Sequence, residues 1–261
     1  DAFGKLLLET LKGCGIDTRG MIVSKDVFTT LAFVTLDETG DRAFSFARKP
    51  GADTCLSSHE VDMRLIDEAK VFHFGTLSLT HEPARTATQS AVAYAKERGK
   101  LITFDPNLRK PLWDDPEDAK RQMLWGLRQA DVVKISDEEV EFLFGLEPQA
   151  GADHIIKEYG AKLVFVTCGA DGCAFQNQNC SGHVPGLQGI QTVDTTGAGD
   201  IFGGSAVWKL LQLGKLPQEL DETQLRDVTE FACVSAGLST TKPGGISSVP
   251  TMEQVQKALR K

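Results

Sequence analysis

The stretch D-V-V-K-I-S-D-E-E-V-E-F-L-F-G, residues 131–145, runs a short apolar strand straight into a helix. Residues 131–135 carry the strand pattern, and 137–144 carry the helical one. The same grammar recurs on both sides. Short apolar strands at 71–74 (V-F-H-F), 101–104 (L-I-T-F) and 163–167 (L-V-F-V-T) alternate with helical segments at 83–98, 116–129 and 149–159. Such alternation predicts βαβ units and an α/β fold: a doubly wound, mostly parallel sheet with helices on both faces. Beyond Gly172 come short strand-like pieces, helices over 198–213 and 222–238, a P-G-G turn and a terminal helix over 251–260. Toward the front, residues 1–14 read as a helix with Phe3, Leu7, Leu8 and Leu11 on one face. T-T-L-A-F-V-T-L (29–36) and R-A-F-S-F-A-R (42–48), joined by D-E-T-G-D (37–41), predict a β-hairpin with one wet face. The expected organisation is one α/β domain over 1–28 and 50–261, carrying a hairpin flap over 29–49.

Composition narrows the function classes. The chain has 261 residues and a net charge of -8. That charge argues against an extended nucleic-acid footprint, which polyphosphate backbones would make basic. The six cysteines show no C-x-x-C pair and no metal-type spacing, so a reduced, cytoplasmic protein is expected. Cys168 and Cys233 sit in apolar runs and are expected to be core thiols. No apolar run approaches the ~18 residues of a membrane span, and no signal-peptide pattern opens the chain.

In open parallel sheets, ligands sit at the carboxyl ends of strands. Three loops there carry chemistry-bearing residues: F-D-P-N-L-R (104–109), K-I-S-D-E-E (134–139) and T-C-G-A-D-G (167–172). A fourth candidate is the turn V-D-T-T-G-A-G-D-I-F-G-G (193–204). Gly197, Gly199 and Gly203 nearly match a dinucleotide fingerprint, but no apolar strand precedes them and a second helix follows. No Walker motif occurs. A phosphate cradle fits better: Gly197 and Gly199 allow close backbone approach, and amides at a helix start favour an anion. Asp200 falls in the first helical turn, where an ionised carboxylate beside an amide nest suits phosphoryl transfer to an alcohol. The bland alternative makes Asp200 a favourable first-turn acid. Asp194 and Thr196 just upstream weigh against it, because a cap needs neither.

D-T-T-G-A-G-D-I-F-G-G resembles the second signature of the ribokinase-like (PfkB) sugar kinases. The similarity continues through F-V-T-L-D-E-T-G-D-R-A-F-S-F-A-R, V-F-H-F-G-T-L-S-L, F-D-P-N-L-R-K-P-L-W, D-V-V-K-I-S-D-E-E-V-E-F-L-F-G and T-T-K-P-G-G-I-S-S-V-P-T, in order along the chain, and is strongest to the fructokinases of that family. The resemblance implies an ATP-dependent kinase acting on the 6-hydroxyl of fructose, with the hairpin as a lid. Asp200 would be the base, and the amides of Gly197, Ala198 and Gly199 the anion hole. Glu139 would organise Mg²⁺ and phosphates through water, from an N-x-x-E motif in which Ser136 replaces the Asn. Asp194 and Thr196, with backbone near Ser239, Lys242, Gly244 and Ser248, would match a monovalent-cation site, usually for K⁺. Thr167, Gly169 and Gly172 would flank the nucleotide. Arg48, Asn107 and Arg109 are the sugar-contact candidates, although Asn107 could simply shape its turn and Arg48 could be a solvated edge charge.

Members of the family also begin with a strand and a G-G-x-x-x-N-x-A element. Neither occurs here; the chain starts just beyond them, and an upstream segment carrying both is expected. Two further readings stand beside fructokinase. One is 2-keto-3-deoxygluconate kinase, which shares the D-x-N-x-R-x-x-L-W pattern; the other is a noncatalytic binding protein on the same fold. An isolated hairpin is marginal in water, so a homodimer through Phe33, Phe44 or Phe46 is expected as well.

Overall fold

The computed structural model describes residues 1–36 and 42–260. The D-E-T-G-D turn of the hairpin and the side chain of Phe44 lie outside what is described. In chain order the elements are α1 (Ala2–Gly13), β1 (Leu31–Leu36), β2 (Arg42–Ala47), α2 (Met63–Glu68), β3 (Val71–Gly75), α3 (Ala84–Glu97), β4 (Leu101–Asp105), α4 (Pro116–Gln129), β5 (Val132–Ser136), α5 (Asp137–Phe144), α6 (Pro148–Tyr159), β6 (Leu163–Thr167), β7 (Cys173–Asn177), β8 (Ser181–Val184), α7 (Ala198–Leu213), α8 (Glu222–Ser239) and α9 (Met252–Leu259).

Strands β3 to β8 form a six-stranded sheet in sequence order, and β1 and β2 form a separate two-stranded one. The β4–β5 and β5–β6 ladders are parallel, whereas β6–β7 and β7–β8 are antiparallel. The α/β sheet expected from the alternation is present, parallel from β4 to β6 and antiparallel at its C-terminal edge. A parallel return needs a crossover of about a dozen residues or more. The turns at 168–172 and 178–180 are too short for that, so the chain doubles back. The hairpin forms as expected, with Leu31 opposite Ala47 and Phe33 opposite Ser45.

By contact density the chain divides into two compact units. Unit 1 comprises 1–102 and 107–129. Its interior is built on the alanine face of α3 (Ala84, Ala87, Ala91, Ala95) and on Leu79, Met123 and Leu127, all buried. Phe74 meets Trp125 edge-on at 5.7 Å. The front helix α1 forms as the periodicity predicts, but no residue of it is buried. Of its predicted apolar face, Phe3 and Leu7 remain exposed.

Unit 2 comprises 103–106 and 130–261. Strands β5 and β6 are nearly continuous apolar runs with Val133, Ile135, Leu163 and Val164 fully buried, as strands covered on both faces should be. Phe165 of β6 packs edge-on against Phe202 of α7 at 5.7 Å. Helix α6 lies against β6 and β7, and α8 against α7, β7 and β8. Local chemistry sets the helix ends. Ser136 and Glu139 form a capping box at the start of α5, and Gly145 closes it in the left-handed region. All six cysteines are free thiols. Cys233 is buried, as expected, whereas Cys168 is only half-buried.

Candidate active site

The turn ahead of α7 is held by backbone amides that donate to a distant carbonyl and to one carboxylate. The N–H groups of Val193 and Asp194 both donate to the Thr240 carbonyl, at 2.7 and 3.1 Å. The Asp194 carboxylate then accepts from two amides, Thr196 N–H at 2.9 Å and Gly244 N–H at 2.9 Å. Asp194 thereby ties the turn to the loop after α8. Gly197 sits at φ 77°, and a Cβ there would approach the Gly245 α-carbon to 3.2 Å. Both the conformation and the close approach call for glycine.

Helix α7 begins at that glycine with no side-chain cap. The Ala198 N–H donates to the Thr195 carbonyl at 3.2 Å, and Ile201 N–H to Gly197 at 2.8 Å. An uncapped start on a sixteen-residue helix presents donors and a positive dipole end. Asp200 stands in its first turn.

Two residues to which the sequence reading gave no role belong here. Lys134 of β5 and Asp105 of β4 form an ion pair at 3.0 Å, with side chains 12% and 9% exposed. Burial pushes the Asp105 carboxyl up to about 6; the Lys134 charge opposes this, and the negative charges of Glu139 and Asp200 add to it. The charges of Lys134, Glu139 and Asp200 therefore all reach Asp105. The signal for Lys134 was present: a lysine interrupts V-V-K-I, an otherwise buried strand.

The remaining candidates of unit 2 have local roles that the structure makes explicit. Glu139 is buried, and its Oε2 accepts from Ser136 N–H at 2.9 Å while its own N–H donates to Ser136 Oγ at 3.2 Å. Thr167 Oγ1 donates to the Ile135 carbonyl at 3.4 Å. Gly169 and Gly172 both have positive φ, and a Cβ on Gly172 would meet the Val184 carbonyl oxygen at 2.0 Å. Ser239 and Ser248 are buried; Lys242 N–H donates to the Ser239 carbonyl at 3.2 Å, and Ser248 Oγ donates to the Gly245 carbonyl at 2.8 Å. This donor set of carboxylate, hydroxyl and carbonyl oxygens suits a hard cation. A cavity of about 210 Å³ opens beside it, lined by Leu238, Thr241, Lys242, Ser248, Pro250 and Lys257.

Unit 1 holds the sugar-contact candidates, and they differ among themselves. Arg48 is not a solvated edge charge. It is buried, with Nε on Asp53 Oδ2 at 2.7 Å, Nη1 on Thr80 Oγ1 at 2.9 Å and Nη2 on the Leu77 carbonyl at 2.8 Å. Asn107 adopts φ 45°, which fits a turn-shaping role. Arg109 is half-buried and donates to the neighbouring Leu108 carbonyl at 3.1 Å. The Trp113 indole N–H just beyond is buried with no acceptor among the described residues.

Comparison with known proteins agrees with the pattern of the turn. A family model described as pfkB family carbohydrate kinase matches residues 1–252. Fructokinase-1 of Zea mays is 41% identical over 264 residues, covering 100% of this chain and 80% of that protein. Among solved structures, a Xylella fastidiosa fructokinase with bound ATP superposes with a TM-score of 0.91 at 28% identity, covering 100% of this chain and 82% of that one. A Vibrio cholerae fructokinase in a fructose-, ADP- and calcium-bound form gives 0.88 at 30% identity, covering 99% and 82%.

Proposed function

We propose that this chain, which belongs to the pfkB family of carbohydrate kinases, is an ATP-dependent fructokinase. The observation that carries the reading is the uncapped start of α7 with Asp200 in its first turn. Asp200 accepts the proton of the fructose 6-hydroxyl as that oxygen attacks the γ-phosphorus of ATP. The new P–O bond forms while the bond to the β-phosphate oxygen breaks, and ADP leaves. Amides at Gly197–Gly199 offset the charge that accumulates on the transferring group. Of these, the Ala198 N–H is shared with the Thr195 carbonyl.

Glu139 is the carboxylate placed to organise Mg²⁺, and Asp194, Thr196 and the loop from Ser239 to Ser248 offer the oxygens for K⁺. When bound, these cations supply charge neutralisation for the phosphates and order to the turn. Lys242 and Lys257 add positive charge to the cavity beside that loop, and Thr167, Gly169 and Gly172 would flank the nucleotide. For the sugar, Arg109 and Asn107 are the stronger candidates, since the Arg48 guanidinium already serves Asp53, Thr80 and Leu77. The hairpin over 29–49 serves as the lid, and its exposed Phe33 is the place for a contact between two copies. Among the described residues no helix is long and apolar enough to cross a membrane; a cytoplasmic location is part of this proposal.

The test is a coupled assay with fructose, ATP, Mg²⁺ and K⁺. Asp200→Asn should lower kcat by about 10²–10⁴-fold, the range for losing a general base. Turnover that survives the substitution at the wild-type rate would sink the assignment.

A further inference from the structure

Lys134 interrupts an apolar strand, and its side chain is almost entirely withdrawn from water. A buried ammonium costs free energy unless it is paired, and Asp105 Oδ2 at 3.0 Å supplies the partner. Packing alone does not explain the pair, because methionine would fill the same strand position without a desolvation cost. The surroundings give a second reason for the charge. Asp105 lies in the fields of Glu139 and Asp200, so a neutral residue at 134 would leave it beside two like charges without the ammonium. The neighbouring Cys173 thiol also senses the ammonium, yet burial pushes it well above its ordinary value and keeps it uncharged.

The position of the ammonium relative to the turn is the decisive observation. A Cβ built on Gly199 would come within 2.9 Å of Lys134 Nζ and 3.6 Å of its Cε. Gly199 is absent from the positive-φ glycines, so its backbone conformation does not demand glycine. The tip of Lys134 occupies the space a side chain would take, so a larger residue at 199 would have to displace the ammonium.

We infer that Lys134 is a positioning residue of the transfer site: clamped by Asp105, its ammonium is a fixed positive charge against Gly199 that reinforces the amide nest. The inference rests on the kinase reading of the turn. It assigns Asp105 the task of holding the lysine there, and Gly199 the task of leaving room for it.

The test compares Lys134→Met, which keeps the stem and loses the charge, with Lys134→Arg, which keeps the charge and changes the shape. Charge-based positioning predicts that K134M lowers kcat by about tenfold or more while the fructose KM stays within about twofold. MgADP affinity, read by calorimetry without turnover, should fall severalfold. K134R should recover most of both losses. A packing role predicts the reverse order, with K134M close to wild type and K134R the poorer enzyme, and that order would overturn the inference.

Asp200→Asn is measured alongside. Full turnover in D200N overturns the kinase reading of the turn, whereas an inactive D200N beside a wild-type K134M overturns the role of Lys134 alone. If thermal melting shows that K134M does not fold, Gly199→Ala takes its place, since its methyl meets the ammonium while both charges remain. A severalfold fall in kcat and MgADP affinity at an unchanged melting temperature is the expected result. Unchanged values in G199A would refute the inference.

Discussion

Strands β5 and β6 of unit 2 and the first thirty residues of unit 1 are both rich in large apolar side chains, and they place them oppositely. In the strands, Ile135, Leu163 and Val164 are each 0% exposed. In the front segment, Leu6 is 60% exposed and Val23 66%, and Phe3, Leu7, Ile16, Met21, Ile22 and Phe28 are exposed too. Phe3 and Phe28 stack edge-on against each other at 6.4 Å without leaving the surface. Periodicity names an element correctly in both regions, since α1 is as helical as β6 is extended. Burial is a separate matter, because it depends on what a neighbouring element brings to the face. In unit 2 the parallel ladders and the flanking α6 close over the strands; in the front segment no described element does so for these side chains.

Substitutions can break or sharpen this contrast, beginning with the largest expected effect. Phe165→Ala removes a ring from the wholly buried face of β6 and should cost about 3–5 kcal/mol by denaturant unfolding. A loss under about 1 kcal/mol would show that the strands of unit 2 tolerate cavities as a surface does.

A pH-dependent effect comes next. The Asp105 carboxyl is raised from 3.8 to about 6, so the folded state holds that proton more tightly than the unfolded chain. Stability is then highest below about 4 as far as this group is concerned, and falls as pH rises through the window to about 6. The two values differ by roughly two pH units, which corresponds to on the order of 3 kcal/mol. Asp105→Asn should flatten that part of the stability profile, measured by denaturation between pH 4 and pH 7 against wild type. A profile identical to wild type would mean that the pair with Lys134 is not strained by its burial.

The smallest effect is expected at the front. Leu6→Gln on α1 should change stability by no more than about 0.5 kcal/mol, since the side chain is largely in water already. A loss above about 2 kcal/mol would place Leu6 inside a packed face and erase the contrast.

The candidate site was legible to different depths for similar reasons. Gly197 and Asp194 could be found from the chain, because a glycine-rich turn before a helix has few uses and its chemistry is local. Even there, Asp194 turned out to bind two amides, one of them fifty positions away at Gly244. Glu139 was legible as an acid just after a strand, and S-D-E-E also carries the S-x-x-E spacing of the capping box it forms with Ser136. Arg48 was left open between a sugar contact and a solvated strand charge, and its burial excludes the second: its partners Leu77 and Thr80 come from a different part of unit 1, and no pattern around residue 48 points to them. Lys134 and Asp105 fall within the loops that were picked out, but neither was given a role. Lys134 is conspicuous as a lysine in an apolar strand, but only the register that sets Phe104 beside Val133 brings the two strand ends together and identifies its partner.

By itself the sequence determined the alternation of strands and helices, the hairpin, the glycine turn with its acid, and the family. These follow from period, from backbone freedom at glycine and from short-range capping, all of which act within a few residues. Tertiary structure alone decided the antiparallel edge, the burial of Arg48 and the pairing of Lys134 with Asp105 near Gly199. Each of those depends on which distant groups share a small, poorly solvated volume, and neighbouring residues in the chain carry no information about that.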